Sequence, residues 1–172
     1  MFKRGDEMLK EKTCCFTGHR ILGKDFTIQS LDNAIEYMIN KGVTIFICGG
    51  AIGFDTHAEE AVLRAKERHE GIELHIYAPC NNQSAKWNIS QKSKYNEILQ
   101  KADYVDMVDR PYYEGCMKER NYKMVDNSSY CIAYFHESES RPSGTGQTFR
   151  YAKRQGLEII NLANEWRKNE QD

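Results

Sequence analysis

Short apolar runs alternate with longer amphipathic stretches along this chain. The runs at 12–18 (KTCCFTG), 43–49 (VTIFICG), 72–79 (IELHIYAP), 104–108 (YVDMV), 130–136 (YCIAYFH) and 157–162 (LEIINL) are strand-sized and rich in β-branched or aromatic residues. Between them the spacing turns helical. At 28–40, Leu31, Ile35, Met38 and Ile39 share one face, and at 56–68 Ala58, Ala61, Val62 and Ala65 do the same. Further helices are predicted at 93–101, 117–125 and 148–154. Parallel strands need crossover connections, which are usually helical. The alternation therefore predicts an α/β fold, a mostly parallel sheet of about six strands with helices on both faces.

Nothing in the pattern divides the chain. Pro79, Pro111 and Pro142 follow strands or lie in predicted loops, and no linker-like tract or internal repeat occurs. A single domain over 1–172 is expected, with its core at 11–162 and a charged tail at 164–172 from which only Trp166 would dock back. The hydrophobic content of 40% in 172 residues suffices for one core. Lys and Arg number 24 against 25 Asp and Glu, a net charge of −1, so no global positive field recruits nucleic acid, and any phosphate site must be local. No apolar stretch approaches the roughly 20 residues that span a bilayer, and the opening residues lack the apolar segment of a secretory signal. A cytoplasmic protein with no membrane partner is expected. The six cysteines include no C-x-x-C pair, and Cys15, Cys48 and Cys131 sit in apolar strand runs. They read as buried thiols, with no metal site and no redox chemistry.

In open parallel sheets, ligands bind where loops leave the carboxyl ends of the strands. Three glycine-bearing segments follow strands here: Thr17-Gly18-His19-Arg20, Gly49-Gly50-Ala51-Ile52-Gly53-Phe54-Asp55, and Ser143-Gly144-Thr145-Gly146. All three should emerge at one rim. A backbone without Cβ can approach a phosphate closely, and a helix starting just afterwards adds unpaired N–H donors. The spacing matches neither the dinucleotide fingerprint nor the P-loop, which disfavours P-loop ATP hydrolysis. Tight-turn packing is the competing reason for these glycines.

The polar neighbours each carry two readings. Arg20 and Arg120 are phosphate grips or ordinary surface arginines. His19 is a phosphate donor or a structural histidine. Asp55 caps the next helix or binds ribose hydroxyls, and Glu59, four residues on, shares its helical face as a weaker acid/base candidate. Asn121 bonds a base or sugar, or caps. Trp87 and Tyr95 stack on a base or anchor a loop, and Tyr112-Tyr113 line a pocket or form its rim.

Taken together, these segments resemble the YpsA-like branch of the SLOG superfamily, joined by Ala102-Asp103, Gly115-Cys116-Met117, Arg120-Asn121, Met124-Val125-Asp126 and Tyr151-Ala152-Lys153. The resemblance spans about 11–162. It implies a Rossmann-like domain, related to those of the DNA-processing protein DprA and the LOG phosphoribohydrolases. Such a domain would bind a nucleotide-derived ligand, of ADP-ribose or NAD-related type, in a glycine-lined cleft. The implied binding positions are Gly18, Arg20, Gly49, Gly50, Gly53, Asp55, Arg120, Asn121, Gly144 and Thr145, to which the residue-level reading adds His19 and Ser143. The LOG motif P-G-G-x-G-T-x-x-E is not kept. Its glutamate falls on Arg150 or Thr148 according to register, and Ser143 stands where glycine is usual.

The leading expectation is noncovalent binding of a nucleotide-type small molecule as sensor, adaptor or sequestering protein, with no cofactor required. The first alternative is N-glycosidic hydrolysis of a nucleoside monophosphate or ADP-ribose derivative, using Asp55 or Glu59. The second is DprA-like single-stranded DNA binding, which would need Lys86, Lys92, Lys94 and Lys101 to cluster. Spare apolar residues on helical faces allow a homodimer.

Overall fold

The computed structural model describes residues 9–138 and 141–163. Among these, the apolar runs form β1 (Thr13–Gly18), β2 (Ile45–Cys48), β3 (Glu73–Ala78), β4 (Tyr104–Met107), β5 (Tyr130–Tyr134) and β6 (Glu158–Asn161). The amphipathic stretches form α1 (Ile28–Asn40), α2 (Phe54–Arg68), α3 (Ile89–Lys101), α4 (Cys116–Asp126) and α5 (Gly144–Arg154). The strands pair wholly in parallel in the order β4-β3-β2-β1-β5-β6. The fold is Rossmann-like. The predicted tail and Trp166 lie outside the described residues.

Strand alternation assigns the two faces. Cys14 and Phe16 of β1, Phe46 and Cys48 of β2, and Ile132 and Tyr134 of β5 pack with Leu31, Ile35 and Met38 of α1 and Ala58 and Val62 of α2. The intervening residues Cys15, Ile45, Ile47, Cys131 and Ala133 face Met124 and Val125 of α4 and Phe149 and Ala152 of α5. Side chains point to opposite faces with period two, so a strand covered on both sides is apolar on both, as β2 and β5 are and as β1 is between the buried Thr13 and Thr17. All six cysteines are buried free thiols.

The chain builds outward from β1 through β2 and β3 to β4, then returns to place β5 on the other side of β1. Crossovers of one hand put helices made while building in one direction on one face and those made in the other on the opposite face. The reversal therefore explains the segregation of α4 and α5. It also makes the β1/β5 boundary the topological switch point, where the loops leaving the two strands diverge and open a crevice.

Helix starts are where sequence and structure differ most. α3 begins at Ile89 rather than 93, because Asn88 and Gln91 form a reciprocal capping box. α5 begins at Gly144 rather than 148: the Ser143 hydroxyl accepts from the Gly146 amide at 3.0 Å, so a stretch with the composition of a loop is the first helical turn. Arg120 lies one turn inside α4.

Candidate functional site

A cleft of about 360 Å³ opens at the β1/β5 switch point. Thr17, Gly18, His19 and Arg20 line it from the end of β1, Ala51 from the loop after β2, Asp55 from the first turn of α2, Met117, Arg120 and Asn121 from α4, and Ser143, Gly144 and Thr145 from the start of α5. Of the residues expected at one rim, Gly18, His19, Arg20, Asp55, Arg120, Asn121, Ser143, Gly144 and Thr145 thus meet around one space. Gly49, Gly50, Gly53 and Glu59 are not among those lining it.

The absence of a Cβ after β2 has an internal cause rather than the expected close approach of phosphate. A Cβ on Gly49 would lie 2.7 Å from the Arg120 guanidinium carbon. Gly53 has φ +85°, and a Cβ there would come within 2.1 Å of the Arg20 carbonyl oxygen. Gly53 lets the loops after β1 and β2 pack backbone to backbone, with the Phe54 amide donating to the His19 carbonyl at 3.2 Å. Gly144 is the opposite case: no atom lies within 4 Å of the position its Cβ would take. Its backbone is open to a ligand.

Arg120 is the buried centre of the site. Its Nη1 donates to the Gly49 carbonyl, to the Tyr77 carbonyl at 3.1 Å and to Gln83 Oε1 at 3.5 Å, while Nε donates to Asn121 Oδ1 at 2.8 Å. One nitrogen thereby ties the ends of β2 and β3 to α4. Nη2 meets only the Met117 sulfur, at 3.7 Å, among its described contacts. Burial pushes the Arg120 guanidinium below its ordinary range, and the Asp55 carboxylate opposes that shift. Burial likewise pushes Asp55 above the usual carboxyl value, against the Arg120 charge and a hydrogen bond from the Ala51 amide at 3.1 Å. Asp55 and Glu59 are one helical turn apart, yet Asp55 faces this cleft and Glu59 a separate groove between α2 and α3.

Asp25, Tyr134 and His136 form a cluster that sequence reasoning missed. Asp25 Oδ1 accepts from the Tyr134 hydroxyl at 2.6 Å and Oδ2 contacts His136 Nε2 at 2.8 Å, while the Gly23 amide donates to the same hydroxyl at 3.1 Å. Burial raises the Asp25 carboxyl, but the hydrogen bonds from Tyr134 and His136 and the His136 charge outweigh it and leave it below its ordinary value. His19 stacks on His136 with ring centroids 5.9 Å apart, so the cluster fixes the loop that delivers His19 and Arg20. The one available signal was the place of His136 just beyond a strand's carboxyl end. Trp87 and Tyr95 meet edge-to-face at 5.3 Å in the α2–α3 groove, not in the cleft. Tyr113 hydrogen-bonds Glu119 at 2.6 Å and Tyr112 is exposed, and neither lines the cleft. Among the described residues, no group of three or more His, Cys, Asp or Glu is placed to hold a metal ion, and no helix is long and apolar enough to cross a membrane.

Comparison with known proteins agrees with this architecture. A UPF0398 protein of Halalkalibacterium halodurans is 27% identical over 138 residues, 79% of this chain and 72% of that protein. UPF0398 proteins of Staphylococcus aureus are 26% identical over 117 residues, 66% of this chain, and the matched region spans 63% of their length. The solved structure of DNA processing protein A from Helicobacter pylori, described for its single-stranded DNA binding mode, superposes with a TM-score of 0.63 at 16% identity. That likeness covers 98% of this chain and 77% of the other and concerns the fold. The model of the YpsA family, described as the YspA SLOG family, matches residues 22–165, and the chain belongs to that family.

Proposed function

We propose that the chain binds a phosphate-bearing, nucleotide-derived small molecule noncovalently in the β1/β5 cleft, with an ADP-ribose-like compound as the model ligand. The observation that carries this reading is the meeting of Arg20, Arg120, Asn121 and the α5 N-terminus around one cleft at the switch point. The first-turn amides of Gly144 and Thr145 have no carbonyl four residues back in the helix, and the helix dipole adds positive potential there. Ser143 already satisfies the Gly146 amide, so an anion would take the Gly144 and Thr145 amides. Arg120 Nη2 is the guanidinium edge that remains after Nη1 and Nε are committed. Asp55, facing the same space, suits ribose hydroxyls.

A thermal-shift screen with ADP-ribose, AMP, GMP and NAD tests the reading. At least one should stabilise the wild type; a ligand at 100 times its Kd gives about 2.7 kcal/mol. Gly144→Asp should abolish the effect by like-charge repulsion, and Arg20→Ala should weaken it. No stabilisation by any of the four would overturn the reading.

Single-stranded DNA binding is a second reading, favoured by the fold likeness to DNA processing protein A. Against it, Lys94 pairs with Glu60 and Glu97, and Lys101 with Glu97, which offsets the basic character of α3. Salt-sensitive binding to an oligonucleotide would support it. For N-glycosidic hydrolysis, neither LOG register supplies a carboxylate: Thr148 Oγ1 donates to the Gly144 carbonyl at 2.8 Å, and Arg150 is exposed. Asp55 is then the one acid lining the cleft among the described residues. Release of free base from AMP, lost in Asp55→Asn, would favour that chemistry.

A further inference from the structure

The groove between α2 and α3, about 270 Å³, lies on the opposite side of the Gly49–Asp55 loop from the phosphate cleft. Ile52, Trp87, Tyr95 and Ile98 give it apolar walls, and the edge-to-face contact of Trp87 with Tyr95, with rings at 76°, makes a corner. The Tyr95 hydroxyl is held by Gln83 Nε2 at 3.3 Å, which fixes one side of that corner.

Glu59 belongs to the same wall. It is 1% exposed, and its Oε1 has no hydrogen-bond partner. Buried polar atoms in folded proteins are nearly always satisfied, so an exception in the wall of a cavity points to a partner that arrives from outside the chain. Burial and the Asp55 carboxylate push Glu59 well above the usual carboxyl range, which favours the neutral acid, with one donor and residual acceptor capacity. Lys94, at the mouth, is engaged by Glu60 at 3.2 Å and Glu97 at 3.6 Å and is not set to receive a phosphate. Pockets that take drug-sized ligands run from about 300 to 1,000 Å³, so this one suits a single ring system rather than a whole nucleotide.

We propose that this groove is a second binding site, taking an uncharged nitrogen heterocycle of nucleobase type, whose ring packs in the Trp87–Tyr95 corner and whose polar edge bonds the Glu59 carboxyl. Ring stacking supplies sequence-tolerant affinity, and the buried carboxyl supplies orientation. The site uses none of the residues of the phosphate cleft and stands whether or not that cleft binds a nucleotide.

The test uses Trp166→Phe protein, in which Trp87 is the remaining tryptophan, titrated with free adenine, guanine, hypoxanthine and uracil. At least one base should quench Trp87 emission saturably. Glu59→Gln keeps the shape and a donor, and should stay within about threefold of the parent, whereas Glu59→Leu should weaken binding by about tenfold or more. Arg20→Ala should leave base binding unchanged, which separates this site from the phosphate cleft. If Glu59→Leu does not fold, saturation-transfer NMR on Trp87→Ala decides, with lost transfer supporting the proposal and retained transfer overturning it. Absence of quenching by all four bases, or parent-like binding by Glu59→Leu, would also overturn it.

Discussion

Two glycines that look alike in the sequence should respond to substitution in opposite ways. Gly53 sits at φ +85° and ψ −123°, a region essentially closed to side chains, and holding an alanine there costs about 1–3 kcal/mol. The new methyl would also lie 2.1 Å from the Arg20 carbonyl oxygen, a backbone atom, so the loops after β1 and β2 must separate. Overpacking of that kind adds about 1–3 kcal/mol. A protein of this size loses about 2–4 °C of melting temperature per kcal/mol. Gly53→Ala should therefore melt on the order of 10 °C lower by calorimetry or circular dichroism. Gly144→Ala provides the control. Its Cβ would meet no atom within 4 Å, so its melting temperature should stay within about 2 °C of wild type, while nucleotide stabilisation falls. A Gly53→Ala protein that melts with wild type, or a Gly144→Ala protein that collapses, would refute the assignment of one glycine to packing and the other to the ligand.

Tyr134→Phe removes a hydroxyl that donates to Asp25 and accepts from Gly23, and should cost about 1–3 kcal/mol in chemical denaturation. Asp25 is lowered in the fold, so its contribution to stability is full above the ordinary carboxyl pKa near 3.9 and is lost as pH falls through the depressed value; Asp25→Asn should erase that acid limb. Glu59 is raised, so the sign reverses: wild-type stability should decline as pH climbs from about 4.3 toward the raised value, and Glu59→Gln should remove that decline. A Glu59→Gln stability profile that parallels wild type would contradict its burial as an acid. Ser143→Ala deletes the α5 N-cap and should lower stability by about 1 kcal/mol, read from the denaturation midpoint.

How much of this was legible in the sequence differs from element to element. The runs around Phe16, Phe46 and Ile132 announced themselves because strands buried on both faces carry apolar residues at consecutive positions. α1 matched the expected 28–40, since its apolar spacing and the Thr27 cap agree. The start of α5 did not, because Gly144-Thr145-Gly146 has the composition of a loop, which masked the local Ser143 cap that begins the helix. The site shows the same division. Strand ends could be listed from the pattern, and most candidates from them meet in the cleft. Sequence marks where a Cβ is excluded, though not what fills the space, and so it grouped Gly49 and Gly53 with Gly144. It also put Asp55 and Glu59 on one helical face, whereas the Gly49–Asp55 loop divides the space above α2 in two.

The central claim, an anion held at the start of α5 in the β1/β5 cleft, is tested most directly by amide NMR of labelled protein titrated with ADP-ribose and AMP. The account predicts the largest shifts at the amides of Gly144 and Thr145, with Gly18 and His19 next and little change at Gly71, far along the chain beyond α2. Saturable shifts centred elsewhere, with Gly144 and Thr145 unmoved, would contradict it.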